Sequence, residues 1–177
     1  MDLILETERL FLRKIKQSDF SAICTILQNE TVMYAWEHTF TPDEVEAWIA
    51  ENMMRYIRDG FSYWAVIDRA ANDLIGVSGI LLEKVDNENH VGIGYIFNNA
   101  HWHKGYAYES ASACVGYAFD TLGFNIITAQ IRPTNAGSIR VAEKLGMKIM
   151  RPFIRKYRGK DVPHLLYGRT KDADDVP

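Results

Sequence analysis

The stretch from Val91 to Ala113, VGIGYIFNNAHWHKGYAYESASA, constrains the fold more tightly than any other part of the chain. It opens as an apolar run ending at Phe97 and breaks at Asn98-Asn99. It then turns through His101-Trp102-His103-Lys104-Gly105 and continues from Tyr106 as a helix-like run. A strand, a tight turn and a helix N-terminus in that order make a site for phosphate. The first N–H groups of a helix have no intrahelical partner, and the helix dipole adds partial positive charge there. Gly105 lets the backbone approach an anion closely, and Lys104 adds a charge beside it. A nucleotide-hydrolysing P-loop requires Lys-Ser or Lys-Thr after its last glycine, whereas Tyr106 follows Gly105. A dinucleotide fingerprint requires three spaced glycines and an acid after the next strand, and the spacing fails. A phosphate loop of another kind and an ordinary strand-to-helix turn remain.

Two further stretches bear on that choice. Trp102-His103-Lys104-Gly105-Tyr106-Ala107 resembles the Gln/Arg-x-x-Gly-x-Gly/Ala pyrophosphate loop of the GNAT acetyltransferases. Asn135-Ala136-Gly137-Ser138, continuing to Lys144-Leu145-Gly146-Met147, resembles the family helix Asn-x-x-(Ser/Ala)-x-x-x-x-x-Lys-x-Gly-(Phe/Met). The opening Glu6-Thr7-Glu8-Arg9-Leu10-x-Leu12-Arg13, with Asp19 after it, resembles the start of the RimJ/RimL branch, which acetylates ribosomal-protein N-termini. The resemblance covers nearly the whole chain. It implies an α+β GNAT fold: one mixed, mostly antiparallel sheet, splayed between its fourth and fifth strands and flanked by about four helices.

With 177 residues the chain is expected to be a single domain over residues 1–170, followed by a polar tail over 171–177. A formal net charge of −3 argues against nucleic acid as the main ligand, since phosphate-backbone binders carry a basic face. The two cysteines, Cys24 and Cys114, sit in helix-like apolar runs and read as small buried hydrophobes. No metal-ligand spacing, signal segment or membrane-length apolar run is present, so a cytoplasmic monomer or homodimer is expected.

Along the chain, Arg9 to Ile15 reads as the first strand, and Ser18-Asp19 as the N-cap of a helix with Phe20, Ile23, Ile26 and Leu27 on one face. Thr41-Pro42-Asp43-Glu44 is a capping box with proline in the first turn, and Gly60 stops that helix. Strands are expected at Tyr63–Ile67, Leu74–Leu82 and Val91–Phe97. Gly76 and Gly79 mark a bulge or a close backbone approach. A central helix over Tyr106–Leu122 ends at Gly123, and Asn125–Ile131 reads as a buried strand. Asn135 opens the next helix. Met147–Tyr157 and His164–Arg169 close the sheet, giving the order β-α-α-β-β-β-α-β-α-β-β.

The resemblance implies acetyl-CoA as cofactor. It would be held by Tyr95, Ile96 and Phe97 on the splayed strand, by His103, Lys104, Gly105, Tyr106, Ala107 and Tyr108 in the loop and helix start, and by Asn135, Ser138 and Lys144 on the next helix. A backbone N–H near Phe97 would polarise the thioester carbonyl, and Ser138 would hydrogen-bond the departing sulfur. Ala142 stands where many family members place an acidic Tyr, and Gly92 stands where the branch often places a Glu. Glu83, His90 or a water chain near Tyr95 are substitutes for that base, the two side chains reading first as surface residues. Asn135 could instead serve only as an N-cap, though the cofactor role is the favoured one, and Ser138 is equally open to a plain place in the helix's first turn. The aromatic run over Tyr34, Trp36 and Glu37 would wall the acceptor pocket. The implied reaction is direct acetyl transfer to a primary amine, foremost a protein N-terminus. A polyamine, amino acid or antibiotic acceptor, and a non-catalytic acyl-CoA-binding module, are the alternatives.

Overall fold

A computed structural model describes residues 3–174. The strands are β1 (Leu3–Glu6), β2 (Leu10–Lys14), β3 (Tyr63–Asp68), β4 (Leu74–Val85), β5 (Glu88–Phe97), β6 (Ile126–Ile131), β7 (Lys148–Tyr157) and β8 (Lys160–Thr170). The helices are α1 (Phe20–Leu27), α2 (Pro42–Arg58), α3 (Tyr106–Asp120) and α4 (Ala136–Lys144). There is one more strand than the sequence predicts. Residues before Arg9 form β1, a four-residue edge strand too short to show an alternation, turned onto β2 by the Thr7 N–H bond to the Leu10 carbonyl at 2.9 Å.

The strands form one eight-stranded sheet in the order β1-β2-β3-β4-β5-β6-β8-β7. Every pairing is antiparallel except β5 with β6. That parallel pair is joined only at Gly92 and Thr128, whereas β5 stays paired with β4 from Glu88 to Phe97. The strands therefore part beyond Gly92. This is the expected splay, renumbered by the extra N-terminal strand.

Each face of the sheet carries its own core because β-strand side chains alternate. On β3, Trp64 and Val66 pack with Ala111, Cys114 and Ala118 of α3, while Ala65 and Ile67 pack with Ile23, Ile26, Val45 and Ile49 of α1 and α2. The small residues of α3 let it sit close to the sheet: Ala111, Cys114 and Ala118 are fully buried. Burial pushes the Cys114 thiol up to about 12. Cys24 is only partly buried, against expectation, and both cysteines are free. At Gly79 a Cβ would stand 2.1 Å from the Ser62 carbonyl oxygen, so this glycine serves close backbone approach rather than a bulge.

The capping box on α2 is present: Thr41 Oγ1 accepts from the Glu44 N–H at 3.3 Å, and Glu44 Oε2 accepts from the Thr41 N–H at 2.9 Å. The Thr41 N–H, then Arg158 and His38, pull the Glu44 carboxyl down to about 2. The chain leaves α2 through Gly60 at φ 86°. Asp19 differs from expectation. Its side chain does not cap α1 but accepts Arg13 in a bidentate pair at 2.7 and 2.8 Å and the Lys16 N–H at 2.8 Å. Lys171 is anchored through Nζ to the Phe119 carbonyl at 3.1 Å and to Asp120 at 3.0 Å, and residues 171–174 form a 3-10 turn. No described helix is long and apolar enough to cross a membrane.

Candidate active site

The parting of β5 from β6 leaves backbone groups without a ladder, and the register says which. The Asn98 N–H bonds the Ile75 carbonyl at 3.0 Å, so on β5 the even-numbered residues turn their backbone groups to β4. The odd-numbered residues turn theirs to the gap, as the Thr128 hydroxyl bond to the Val91 carbonyl at 3.2 Å shows on that side. Ile96 thus spends its backbone in the ladder and offers only its side chain to the gap. Trp102 Nε1 donates to the Phe97 carbonyl at 2.9 Å. The Phe97 N–H remains as a gap-facing donor.

The loop after β5 is shaped for an anion. His103 and Gly105 both take left-handed backbone conformations, at φ 61° and 82°, and Gly105 is the N-cap of α3. The first intrahelical bond of α3 runs from the Glu109 N–H to the Gly105 carbonyl at 3.0 Å, so the N–H groups of Tyr106, Ala107 and Tyr108 precede it. Arg9 braces the loop: Nη1 donates to the Lys104 carbonyl at 2.9 Å, Nε and Nη2 bind Glu109 Oε2 at 2.7 and 2.6 Å, and the guanidinium lies 4.6 Å from the Tyr106 ring centre. Thr7 donates to Glu109 at 2.6 Å. Burial opposes ionisation of Glu109, but the bonds from Thr7 and Arg9 outweigh it and hold its carboxyl below the usual value. Tyr106 is also held by its hydroxyl bond to Asp68 at 2.9 Å. Thr7 and Arg9 of the opening motif therefore brace the loop between β5 and α3.

Across the gap, α4 begins at Asn135. Its Oδ1 accepts the Ser138 N–H at 3.1 Å, the cap role, and also the Tyr34 hydroxyl at 2.8 Å. Tyr95 spans the gap by donating its hydroxyl to the Ser138 carbonyl at 3.1 Å, and burial raises its pKa, keeping it protonated.

Two cavities meet at this gap. One, of about 550 Å³, runs from Phe97 along the loop to α4; His101, His103, Arg140 and Lys144 line it and, among the described residues, no carboxylate does. The other, of about 310 Å³, lies on the α1/α2 side, among Trp36, Trp48, Tyr63, Tyr157, Glu83 and Arg155. Trp36, Tyr95, Ile96, Asn135 and Ser138 line both.

Residues 9–148 match the family model described as an acetyltransferase (GNAT) domain. The chain belongs to the GNAT acetyltransferase family. It is thereby one of a group of acetyl-CoA-dependent N-acetyltransferases. It is 34% identical to the protein YkkB of Bacillus subtilis over 154 residues, covering 86% of this chain and 89% of that one. It is 32% identical over 145 residues to the N-acetyltransferase YnaD of the same organism, covering 81% and 82%. Among solved structures, a GNAT-family acetyltransferase from Bacillus anthracis superposes with a TM-score of 0.80 at 29% identity, over 95% of this chain and 98% of that one. RimL, the ribosomal L7/L12 α-N-protein acetyltransferase, solved with coenzyme A, shares the fold with a TM-score of 0.78 at 19% identity, over 97% and 99%.

Of the residues expected to hold the GNAT cofactor, Tyr95, Ile96, Phe97, His103, Gly105, Tyr106, Ala107, Tyr108, Asn135, Ser138 and Lys144 line the larger cavity. Lys104 does not; its side chain is exposed and only its carbonyl is engaged, by Arg9. Lys144 stands 4.2 Å over the Tyr108 ring. Arg140 was missed, although it lies one turn before Lys144 on the same helical face. The aromatic loop is placed differently from expectation. Tyr34 lines the larger cavity, Trp36 lines both, and Glu37 lines neither, because Arg132 takes its carboxylate at 3.2 Å. Arg132 also donates to the Ala35 carbonyl at 2.8 Å, so the loop is strapped over the gap. The smaller cavity is instead walled by Trp48 of α2, Tyr63 of β3, and Tyr157 and His164 of the last hairpin. His90 lies outside both cavities, with Nε2 3.5 Å from Glu88. Glu83, read as a surface residue, lines the smaller cavity.

Proposed function

We propose that the protein transfers the acetyl group of acetyl-CoA to a primary amine by direct transfer in a ternary complex, with a protein N-terminal α-amine as the leading acceptor. The observation that carries the reading is the junction of two cavities at the parted strands, one suited to a polyanion and one lined by aromatic and mixed-charge groups. The residues fit the cofactor. Unsatisfied N–H groups at the start of α3, cationic Arg140 and Lys144, and a lining free of carboxylates suit a pyrophosphate. Acetyl-CoA supplies the activated thioester.

The chain supplies the rest. The Phe97 N–H is a fixed donor for an acyl carbonyl placed at the gap, where it would stabilise developing negative charge. Ser138, at the junction, is positioned to donate its hydroxyl hydrogen to a departing thiolate. Trp36 and the strapped loop exclude water from the junction.

Two features favour an N-terminal amine over a polyamine. An α-amine titrates near pH 8 in model compounds, so a weak base suffices, whereas a lysine-like amine near 10.4 needs more help. The smaller cavity also carries Arg55, Arg132 and Arg155 against only Glu51 and Glu83, which disfavours a polycation. Release of coenzyme A should be measured with N-terminal peptides, polyamines, amino acids and aminoglycosides. The reading requires kcat/KM to be highest for a peptide. A higher value for another amine replaces the acceptor, and cofactor binding without turnover on any amine makes the protein a binding module.

A further inference from the structure

Gly94 of β5 lines the smaller cavity, Gly92 lies two residues before it on the same strand, and side chains from neighbouring strands lie across both. A Cβ on Gly92 would stand 2.6 Å from Glu83 Oε2, and one on Gly94 would stand 2.2 Å from the Tyr63 hydroxyl. The register explains this. Leu81 pairs with Gly92 and Glu83 with His90, so Glu83 is the diagonal neighbour of Gly92 on the same face, and without a side chain at 92 its carboxylate folds over the backbone toward the gap. Gln130 of β6 fixes it there, donating Nε2 to Glu83 Oε2 at 2.8 Å. Gly92 is also the last point at which β5 and β6 are joined, so this carboxylate sits where the strands begin to part.

We propose that Glu83 is the general base of the transfer, taking the proton from the acceptor ammonium in the smaller cavity, which Glu83 and Gly94 both line. The assignment rests on the acetyl-transfer reading. Glu83 takes one proton from the ammonium. The freed lone pair forms the N–C bond as the C–S bond breaks, the second amine proton passes to the Ser138 hydroxyl as that hydroxyl gives its own hydrogen to the thiolate, and Glu83 returns its proton to solvent.

The surroundings suit that task. Burial pushes the Glu83 carboxyl above its usual value, while Arg155 of β7, the Gln130 bond, Arg55 of α2 and His90 of β5 act the other way. Tyr63 of β3 faces it as a phenol kept neutral by burial, and Arg55 is itself paired with Glu51 at 3.0 Å. A carboxylate raised toward neutrality accepts a proton from an α-amine better than an exposed one.

The test uses Glu83→Gln, which keeps the shape and an acceptor for Gln130, and the double variant Glu83→Ala/Gly92→Glu, which moves the carboxylate onto β5. Wild-type kcat/KM for a peptide amine should fall at low pH. Glu83→Gln should lower it by about 100- to 10,000-fold and lose that limb, with coenzyme A affinity unchanged. The double variant should regain at least tenfold over Glu83→Ala. If the wild type turns over and Glu83→Gln keeps both rate and pH limb, or if moving the carboxylate restores nothing, Glu83 is not the base while the transfer reading stands. No turnover by the wild type on any amine overturns both.

Discussion

Replacing Gly105 by alanine isolates the backbone geometry of the phosphate loop. Gly105 sits at φ 82° and ψ 1° as the N-cap of α3. An L-residue in that left-handed region costs about 1–2 kcal/mol. A new Cβ would meet only Arg9 Nη2, at 3.4 Å, the end of a flexible side chain, so no clash adds to the cost. Gly116, in the middle of α3, is the control: a Cβ there meets nothing within 4 Å, and Gly116→Ala should gain about 0.5–1 kcal/mol from helix propensity. The two variants should therefore differ by about 1.5–3 kcal/mol, or roughly 3–12 °C in Tm for a domain of this size. Calorimetry reads that difference. The KM for acetyl-CoA should rise in Gly105→Ala, more strongly in Gly105→Val, and stay constant in Gly116→Ala. Equal Tm values would refute the conformational argument. Unchanged cofactor affinity in a folded Gly105→Val protein would remove the loop from the cofactor site.

Other outcomes follow from named contacts. Ser138→Ala should lower kcat more than acetyl-CoA affinity; an effect on affinity alone would make Ser138 a cofactor contact. Trp48→Ala, which touches only the smaller cavity, should raise the KM for the amine and spare that for acetyl-CoA, while Glu37→Ala, which lines neither cavity, should spare the KM for acetyl-CoA and act on the amine only through its partner Arg132. Glu109 has its folded pKa held below the ordinary 4.5, so its contribution to stability is complete above that pH and is lost as pH falls through the folded value. Glu109→Gln should accordingly flatten the acid limb of a Tm-against-pH profile, and an unchanged limb would exclude the Thr7–Arg9–Glu109 brace from acid stability.

Features written in local residue order were legible before the fold. Thr41 to Glu44 announces a capping box by type and spacing, and Gly60 and Gly123 stop helices at positive φ. The parted strands were legible through family resemblance, not periodicity. What depends on register was hidden. Glu83 is one of three substitutes for a base in the sequence, reading first as a surface residue, until the β4–β5 pairing lays it across Gly92, nine positions away in sequence but adjacent in space. Glu37 looks like a pocket acid in its own segment, and only the tertiary approach of Arg132 shows that its charge is already answered. Asp19 sits where an N-cap belongs, yet a bidentate Arg13 outcompetes the helix N–H groups for its carboxylate.

The central claim is that two ligands meet at the gap between β5 and β6 and react there directly. Initial rates measured while acetyl-CoA and a peptide amine are both varied test it. The account predicts reciprocal plots that intersect, together with an intact-protein mass unchanged after incubation with acetyl-CoA alone. Parallel plots and a stable gain of one acetyl group on the chain would contradict it.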